Sequence, residues 1–318
     1  MKEDTIAAVF PGQGTQRPGM GKDFFDNADA SRRTYEEASD YLGWDVAALC
    51  FGDDNRLNLT EYAQPCIVAT EIAMFRGIRE MFGFEAHYFG GHSLGEYTGL
   101  VAADALPFDE ALRSVWTRGR LMQQATPPGT GGMAAVIGDN LDIDKIRECL
   151  EDLQIDVANI NSSTQVVISG GAEGIKAAEK RLVLALGPEN TADTFRFVPL
   201  NVSAPFHSRF MISMKDAFRE VLNTLAAKLQ PANATRVTSN YLGTFHSGNA
   251  SKIIENLVAQ VSGAVNWQDN MTALADKAKV IYEIGPNRPL RGFFASIGIP
   301  CRSITSFSAA KRVFATGG

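Results

Sequence analysis

Cysteine and histidine are both scarce in this chain, at four residues each among 318. The cysteines (Cys50, Cys66, Cys149 and Cys301) are scattered and form no C-x-x-C pair. That leaves no thiol-based metal or redox motif, and no metal site is expected. Reduced, mostly buried thiols in a cytoplasmic protein are the reading that fits. Positive charge is also short. Thirty Lys and Arg against 36 Asp and Glu give a net charge of −6. No global basic footprint for nucleic acid exists, and an anionic substrate must be met by a few local cations. Long apolar runs are missing as well: no window approaches the ~20 residues of a membrane span. The short apolar run of "MKEDTIAAVFPGQG" stops at Pro11 and is read as a first strand, since a secretory signal needs a longer stretch. There is no internal repeat and no low-complexity linker.

What the chain does have is an ordinary apolar fraction, 45%, over a length that allows one large domain or two medium ones. "TIAAVFPGQG" is predicted as a buried strand entering a Gly-rich turn, and residues 22–50 and 61–82 carry helical periodicity. "AHYFGGHS" is predicted as a short strand, "GEYTGLVAADAL" begins a helix, and residues 107–125 form an amphipathic helix behind a proline start signal. From residue 132 to 200 the pattern changes to strand, helix, two strands, helix and strand, which is the ferredoxin-like order. Residues 209–229 are then predicted as one long helix, followed by alternating strands and helices. The expected fold is α/β. A larger α/β-hydrolase-like sheet domain (1–131 and 201–318) is interrupted by an inserted ferredoxin-like α+β subdomain (132–200). The cleft between such bodies is a usual place for a substrate.

The chemistry centres on "GGHSLGEY", residues 90–97, where Ser93 sits in G-x-S-x-G between a predicted strand and a predicted helix. That context marks a nucleophile on a tight turn. A serine hydroxyl needs a base within ~3 Å to take its proton. His92 is the adjacent histidine, but neighbouring side chains diverge on such a turn, so packing or hydrogen bonding that stiffens the elbow is its better role. His87 begins a strand and is read as a core or edge histidine. His246, in the polar loop "GTFHSGNASK", is expected to be solvent-exposed. His207, in "NVSAPFHSRFM", is shielded by apolar and aromatic neighbours and lies where the chain returns from the insert. It is the best candidate base, with the assignment open on these grounds alone.

Five motifs in order, "FPGQGTQ" at 10–16, "GHSLGEY" at 91–97, "TRGRLMQQA" at 117–125, "SAPFHS" at 203–208 and "EIGP" at 283–286, give the chain a family resemblance. It resembles the malonyl-CoA:acyl carrier protein transacylases, including the stand-alone acyltransferases of polyketide synthases, over nearly its whole length. The resemblance implies Ser93 as nucleophile and His207 as base, with a backbone carbonyl in place of a triad carboxylate. It implies the backbone N–H groups of Gln13 and Leu94 as an oxyanion hole. Arg118 would hold the malonyl carboxylate through a bidentate pair. Phe206 would crowd the malonyl α-carbon, and Asn161, on the turn in "NINSST", would be a polar site residue. The family usually has glutamine before tryptophan in the loop facing the histidine. Here Val265-Asn266-Trp267 stands there, and Asn266 is expected to orient His207 through its carbonyl.

The activity implied is ping-pong transfer of malonyl from malonyl-CoA to the phosphopantetheine thiol of holo acyl carrier protein, without cofactor. The partners are those two substrates, with no nucleic acid and no membrane, and the protein is expected to act as a monomer. Lys176, Lys180, Arg181 and Arg209 are candidate cations for docking an acidic carrier. The rival readings are a trans-acting polyketide acyltransferase with the same chemistry and an acyl-thioester hydrolase of the same fold.

Overall fold

A computed structural model describes residues 5–127, 129–139, 141–187 and 195–315. Its strands, in chain order, are β1 (Ile6–Phe10), β2 (Tyr88–Gly91), β3 (Gly131–Ile137), β4 (Ile155–Ser162), β5 (Gln165–Gly171), β6 (Arg196–Leu200), β7 (Thr238–Ser239), β8 (Thr244–Phe245), β9 (Val280–Ile284) and β10 (Cys301–Ile304). The first sheet has the order β10-β9-β1-β2 and is parallel throughout. Parallel strands buried on both faces read as continuous apolar runs. That is why Ala7, Ala8, Val9 and Phe10 of β1 all lie fully buried. The site grows from the ends of β1 and β2, the latter at one edge of this sheet.

The helix Thr60–Phe82 and the amphipathic helix Phe108–Gln124 pack together on one side of the sheet. Gly119 permits their close approach, since a Cβ there would stand 2.6 Å from the carbonyl oxygen of Thr60. The same approach brings Arg118 against Gln64.

The second sheet is antiparallel, in the order β4-β5-β3-β6, with helices Ile143–Leu150 and Ala172–Leu186 between its strands in sequence. Side chains alternate along a strand, so one face takes every second residue. Ala134, Val136, Val166 and Ile168 face those two helices in a core of their own. Met133, Ala135 and Val167 point the other way and join the main core.

The two bodies share main-chain bonds. Val265 forms a parallel bridge with Asn159 of β4, its N–H donating to Ala158 O at 2.9 Å and its C=O accepting from Ile160 N at 2.9 Å. The expected single helix over 209–229 is instead a 3₁₀ turn, Arg209–Met214, and a short helix, Lys215–Asn223. The Thr224 hydroxyl donates to Val221 O at 2.7 Å, and the Leu229 N–H turns back to Leu225 O. Side-chain bonds of this kind compete with helix continuation.

Candidate active site

Ser93 stands two residues past the end of β2 and carries a left-handed φ of 52°. A non-glycine residue held there is strained and persists only when its surroundings impose it. Here the surroundings are tight. A Cβ on Gly91 would collide with the Gly95 backbone, and one on Gly95 with the carbonyl oxygen of Phe10. The Asn240 amide clamps the turn from below: its Oδ1 accepts from Ser93 N at 2.5 Å and its Nδ2 donates to Gly91 O at 2.7 Å.

His207, only 4% exposed, brings its Nε2 to 2.7 Å from Ser93 Oγ, and it too has a left-handed φ, 55°. Its Nδ1 is 2.8 Å from the main-chain oxygen of Gln260. A carbonyl oxygen can only accept, so Nδ1 carries the proton and the Nε2 lone pair faces the serine. Burial, reinforced by the charge of Arg118, lowers the His207 pKa to about 3, so the ring is neutral at pH 7 and its Nε2 lone pair is free to accept a proton.

Arg118 is 2% exposed. Its Nη2 donates to Ser93 Oγ at 3.1 Å and to Gln260 Oε1 at 3.0 Å, and its Nη1 donates to Gln64 Oε1 at 3.1 Å. The guanidinium also lies 5.7 Å from the centre of the Tyr97 ring. A buried cation held by neutral amides and the Ser93 hydroxyl is a ready partner for an anionic group.

In front of these residues lies a cleft of about 400 Å³ between the two bodies. Gln13, His92, Ser93, His207 and Phe293 line one side, and Met133, Ala135, Val167, Val198 and Leu200 of the second sheet line the other. Leu94, fully buried, stands at the start of the helix Gly95–Ala102, where backbone N–H groups lack intrahelical partners. Gln13 is held by Thr60 and Gln64, at 3.2 and 3.3 Å. No group of three or more His, Cys, Asp or Glu among the described residues is placed to hold a metal.

His92 does not reach Ser93. Its Nε2 donates to Asn161 Oδ1 at 2.8 Å, and burial lowers its pKa to about 4. Asn161 lies on β4 rather than on a turn, and its Nδ2 donates to Gln165 Oε1 at 2.8 Å while it lines the cleft. His87 is an exposed edge residue whose Nδ1 accepts from Ile6 N.

Several expectations are corrected. Asn266 does not orient His207: its Nδ2 donates to Tyr241 O and its N–H to Asn240 O, both at 2.8 Å. The orienting carbonyl belongs to Gln260, the last residue of the helix Ala250–Gln260, where carbonyls run out of helical partners. Phe206 packs in the main core rather than on the cleft wall. His246 is buried, its Nε2 2.8 Å from Glu96 Oε1. Three of the proposed docking cations are engaged by acids of this chain: Lys176 with Glu173, Arg181 with Asp152 and Arg209 with Asp156. Gln64, Asn240 and Gln260 were not anticipated, since a lone amide in a helix or turn has no sequence pattern to mark it.

The acyl transferase domain family matches residues 8–289. The malonyl CoA-acyl carrier protein transacylase of Bacillus subtilis (strain 168) is 36% identical over 306 residues, 94% of this chain and 92% of its own. The crystal structure of malonyl CoA-acyl carrier protein transacylase from Clostridium perfringens Atcc 13124 covers 98% of this chain and 96% of that one, with a TM-score of 0.87 at 29% identity. A type II PKS acyl-carrier protein complex with its malonyl-transacylase includes a chain with a TM-score of 0.87 at 30% identity, over 98% of this chain and 100% of that one. The family match runs from the first strand through the elbow and the histidine loop, and the chain belongs to the acyl transferase domain family.

Proposed function

We propose that this acyltransferase carries malonyl from malonyl-CoA to the phosphopantetheine thiol of an acyl carrier protein through a malonyl-Ser93 intermediate. His207 Nε2 takes the Ser93 proton as Oγ attacks the thioester carbonyl. The backbone N–H groups of Gln13 and Leu94 stabilise the oxyanion of the tetrahedral intermediate. Its collapse breaks the C–S bond, and His207 returns the proton to the departing CoA sulfur. The carrier thiol then gives its proton to His207 and attacks the acyl-serine, and Ser93 leaves with that proton. Neither a cofactor nor a metal takes part. Four free thiols and the lack of any membrane-length apolar helix among the described residues fit a cytoplasmic enzyme.

The observation that carries malonyl as the acyl group is Arg118, whose Nη2 stands 3.1 Å from the nucleophile. A neutral acyl chain gains nothing from a buried guanidinium there, whereas a carboxylate that loses its hydration regains it in two charge-assisted bonds. The same argument disfavours a general acyl hydrolase. One relative is named for acyl carrier protein without further detail and one solved structure holds a type II PKS acyl-carrier protein, so the carrier of this chain is best identified with a carrier panel.

Intact-mass measurement tests the reading: malonyl should appear on the enzyme from malonyl-CoA and then pass to holo carrier rather than to water. Truncating one partner of a buried charge pair costs about 2–5 kcal/mol, so Arg118→Ala should lower kcat/KM for malonyl-CoA roughly 30-fold to several thousandfold. Arg118→Lys should recover only part, and acetyl-CoA use should hold or rise. A parallel fall for both thioesters would show that Arg118 supports the scaffold instead.

A further inference from the structure

Beneath the elbow lies a second layer of polar side chains that reaches the site only through other residues. Glu96, on the first turn of the helix after Ser93, and His246 are both buried, with Glu96 fully so. Three donors satisfy the Glu96 carboxylate. Oε1 meets His246 Nε2 at 2.8 Å, and Oε2 accepts from Asn240 N at 2.9 Å and from Gln260 Nε2 at 2.8 Å.

The last two donors are the residues that build the site. Asn240 holds the Ser93 N–H and the Gly91 carbonyl. Gln260 does more. Its Nε2 also donates to Ser93 O at 3.0 Å, its Oε1 accepts from Arg118, and its main-chain oxygen accepts from His207. The Gln260 amide thus turns its N–H end to a carboxylate and its C=O end to a guanidinium, an orientation that both charges favour. The Gln260 amide is the link between the two charges, while the other Glu96 oxygen, Oε1, meets His246 Nε2. A buried carboxylate without such bonds is strongly unfavourable, and here Asn240, Gln260 and His246 supply them.

We propose that the buried Glu96–His246 pair is the positioning element of the acyl-transfer site. Glu96 fixes the Gln260 amide and the Asn240 main chain, and through them the orientation of His207, the seat of Arg118 and the shape of the elbow. Neither residue touches substrate. The inference rests on the acyltransferase reading for its consequence, while the geometry itself is independent of the acyl group.

The test uses the full chain with Glu96→Ala, Glu96→Gln, Gln260→Ala and the Glu96→Ala/Gln260→Ala double variant. Two rates are followed by intact mass: malonylation of Ser93 by malonyl-CoA, and sulfonylation of Ser93 by phenylmethylsulfonyl fluoride. Thermal unfolding checks that each protein is folded at the assay temperature. Misplacement of reacting groups by about 1 Å costs on the order of 10²-fold, and Glu96→Ala should lose about that in both rates. Glu96→Gln should recover most of it. Its carbonyl still accepts from Gln260 and Asn240, and its amide can donate to the Nε2 of a neutral His246. In the Gln260→Ala background the further effect of Glu96→Ala should largely disappear, because residues acting through one another are not additive.

The proposal is overturned if folded Glu96→Ala reacts within about threefold of wild type, if Glu96→Gln is no faster than Glu96→Ala, or if the two losses simply multiply. Should Glu96→Ala fail to fold, the same cycle is run with His246→Ala, which must slow both rates and fall silent in the Gln260→Ala background. The two readings fail separately. Wild type that takes the sulfonyl group but never malonyl removes the proposed substrate and leaves the positioning role intact. Normal malonylation of Glu96→Ala does the reverse.

Discussion

His207 is held as a neutral base by two forces that act in the same direction. Burial disfavours the imidazolium, and the Arg118 guanidinium repels it. A histidine in water would begin to lose activity as a base below pH 6.5. Here the acid limb of Ser93 reactivity should lie well below that, toward the pKa of about 3. The sign of the Arg118 effect follows: removing the cation stabilises the protonated ring, so Arg118→Ala should move the limb to higher pH. Phenylmethylsulfonyl fluoride labelling of both proteins from about pH 2.5 to 8, with folding checked at each pH, measures it, and a neutral reagent avoids any change in substrate binding. An unchanged limb would assign the shift to burial alone. Ser93, His207 and Arg118 were legible in the sequence because each lies in a motif whose residue types are tied to a reaction. Glu96 lay inside one of those motifs and still went unread, since an acid in the first turn of a helix needs no explanation beyond the helix dipole. The orienting carbonyl was sought next to Trp267, but a backbone acceptor has no side-chain signature, and it comes from the helix end at Gln260.

At the scale of elements, strand and helix types were readable wherever the apolar period was clean. β1, with its unbroken run, and the helix Phe108–Gln124, with its proline start, are examples. The second sheet was readable through its order of elements. The segment after His207 was not, because its periodicity runs on past the point where Thr224 turns the chain. The elbow is the element on which most depends. β2 and the helix that follows it meet at Gly91 and Gly95 with no space for a methyl group, and the Phe10 carbonyl closes the third side. These contacts are with backbone, which cannot rotate away. Gly95→Ala should therefore destabilise the fold by about 1–3 kcal/mol, the range for overpacking. It should also slow Ser93 labelling by more than the lost stability explains, since the strand and the nucleophile move together. Urea unfolding and labelling rate on the same preparation separate the two effects. Stability lost without any change in rate would mean that the turn absorbs the methyl group elsewhere.

For the whole molecule, two neutral histidines in one cleft tie stability to pH. His92 and His207 have pKa values of about 4 and about 3 in the folded chain. Unfolded, each takes a proton near pH 6.5. Below that pH the unfolded chain binds protons that the folded one refuses, so both groups drain stability as pH falls from 6.5 toward the folded values. Glu283, raised to about 6 by burial despite bonds from Ser303, Leu290 and Arg291, acts in the opposite sense. Its contribution is full at low pH and lost as pH rises through about 6. A single variant isolates the histidine part. Between pH 7 and pH 5, His92→Asn should lose up to about 2 kcal/mol less stability than wild type, from 1.5 units at 1.36 kcal/mol each. Denaturant unfolding at the two pH values measures this, and identical losses would show that His92 is protonated alike in both states.

The bond pair between Val265 and β4 also has a bearing on how turnover proceeds. Main-chain hydrogen bonds are short and directional, and they tie the segment at Val265 directly to β4 of the sheet that forms the opposite wall. The Arg209–Asp156 pair adds a second tie beside the histidine loop. These ties join the two bodies on either side of the cleft. In the ping-pong transfer proposed above, acyl donor and acyl acceptor use this one cleft in turn, each meeting Ser93 after the other has withdrawn.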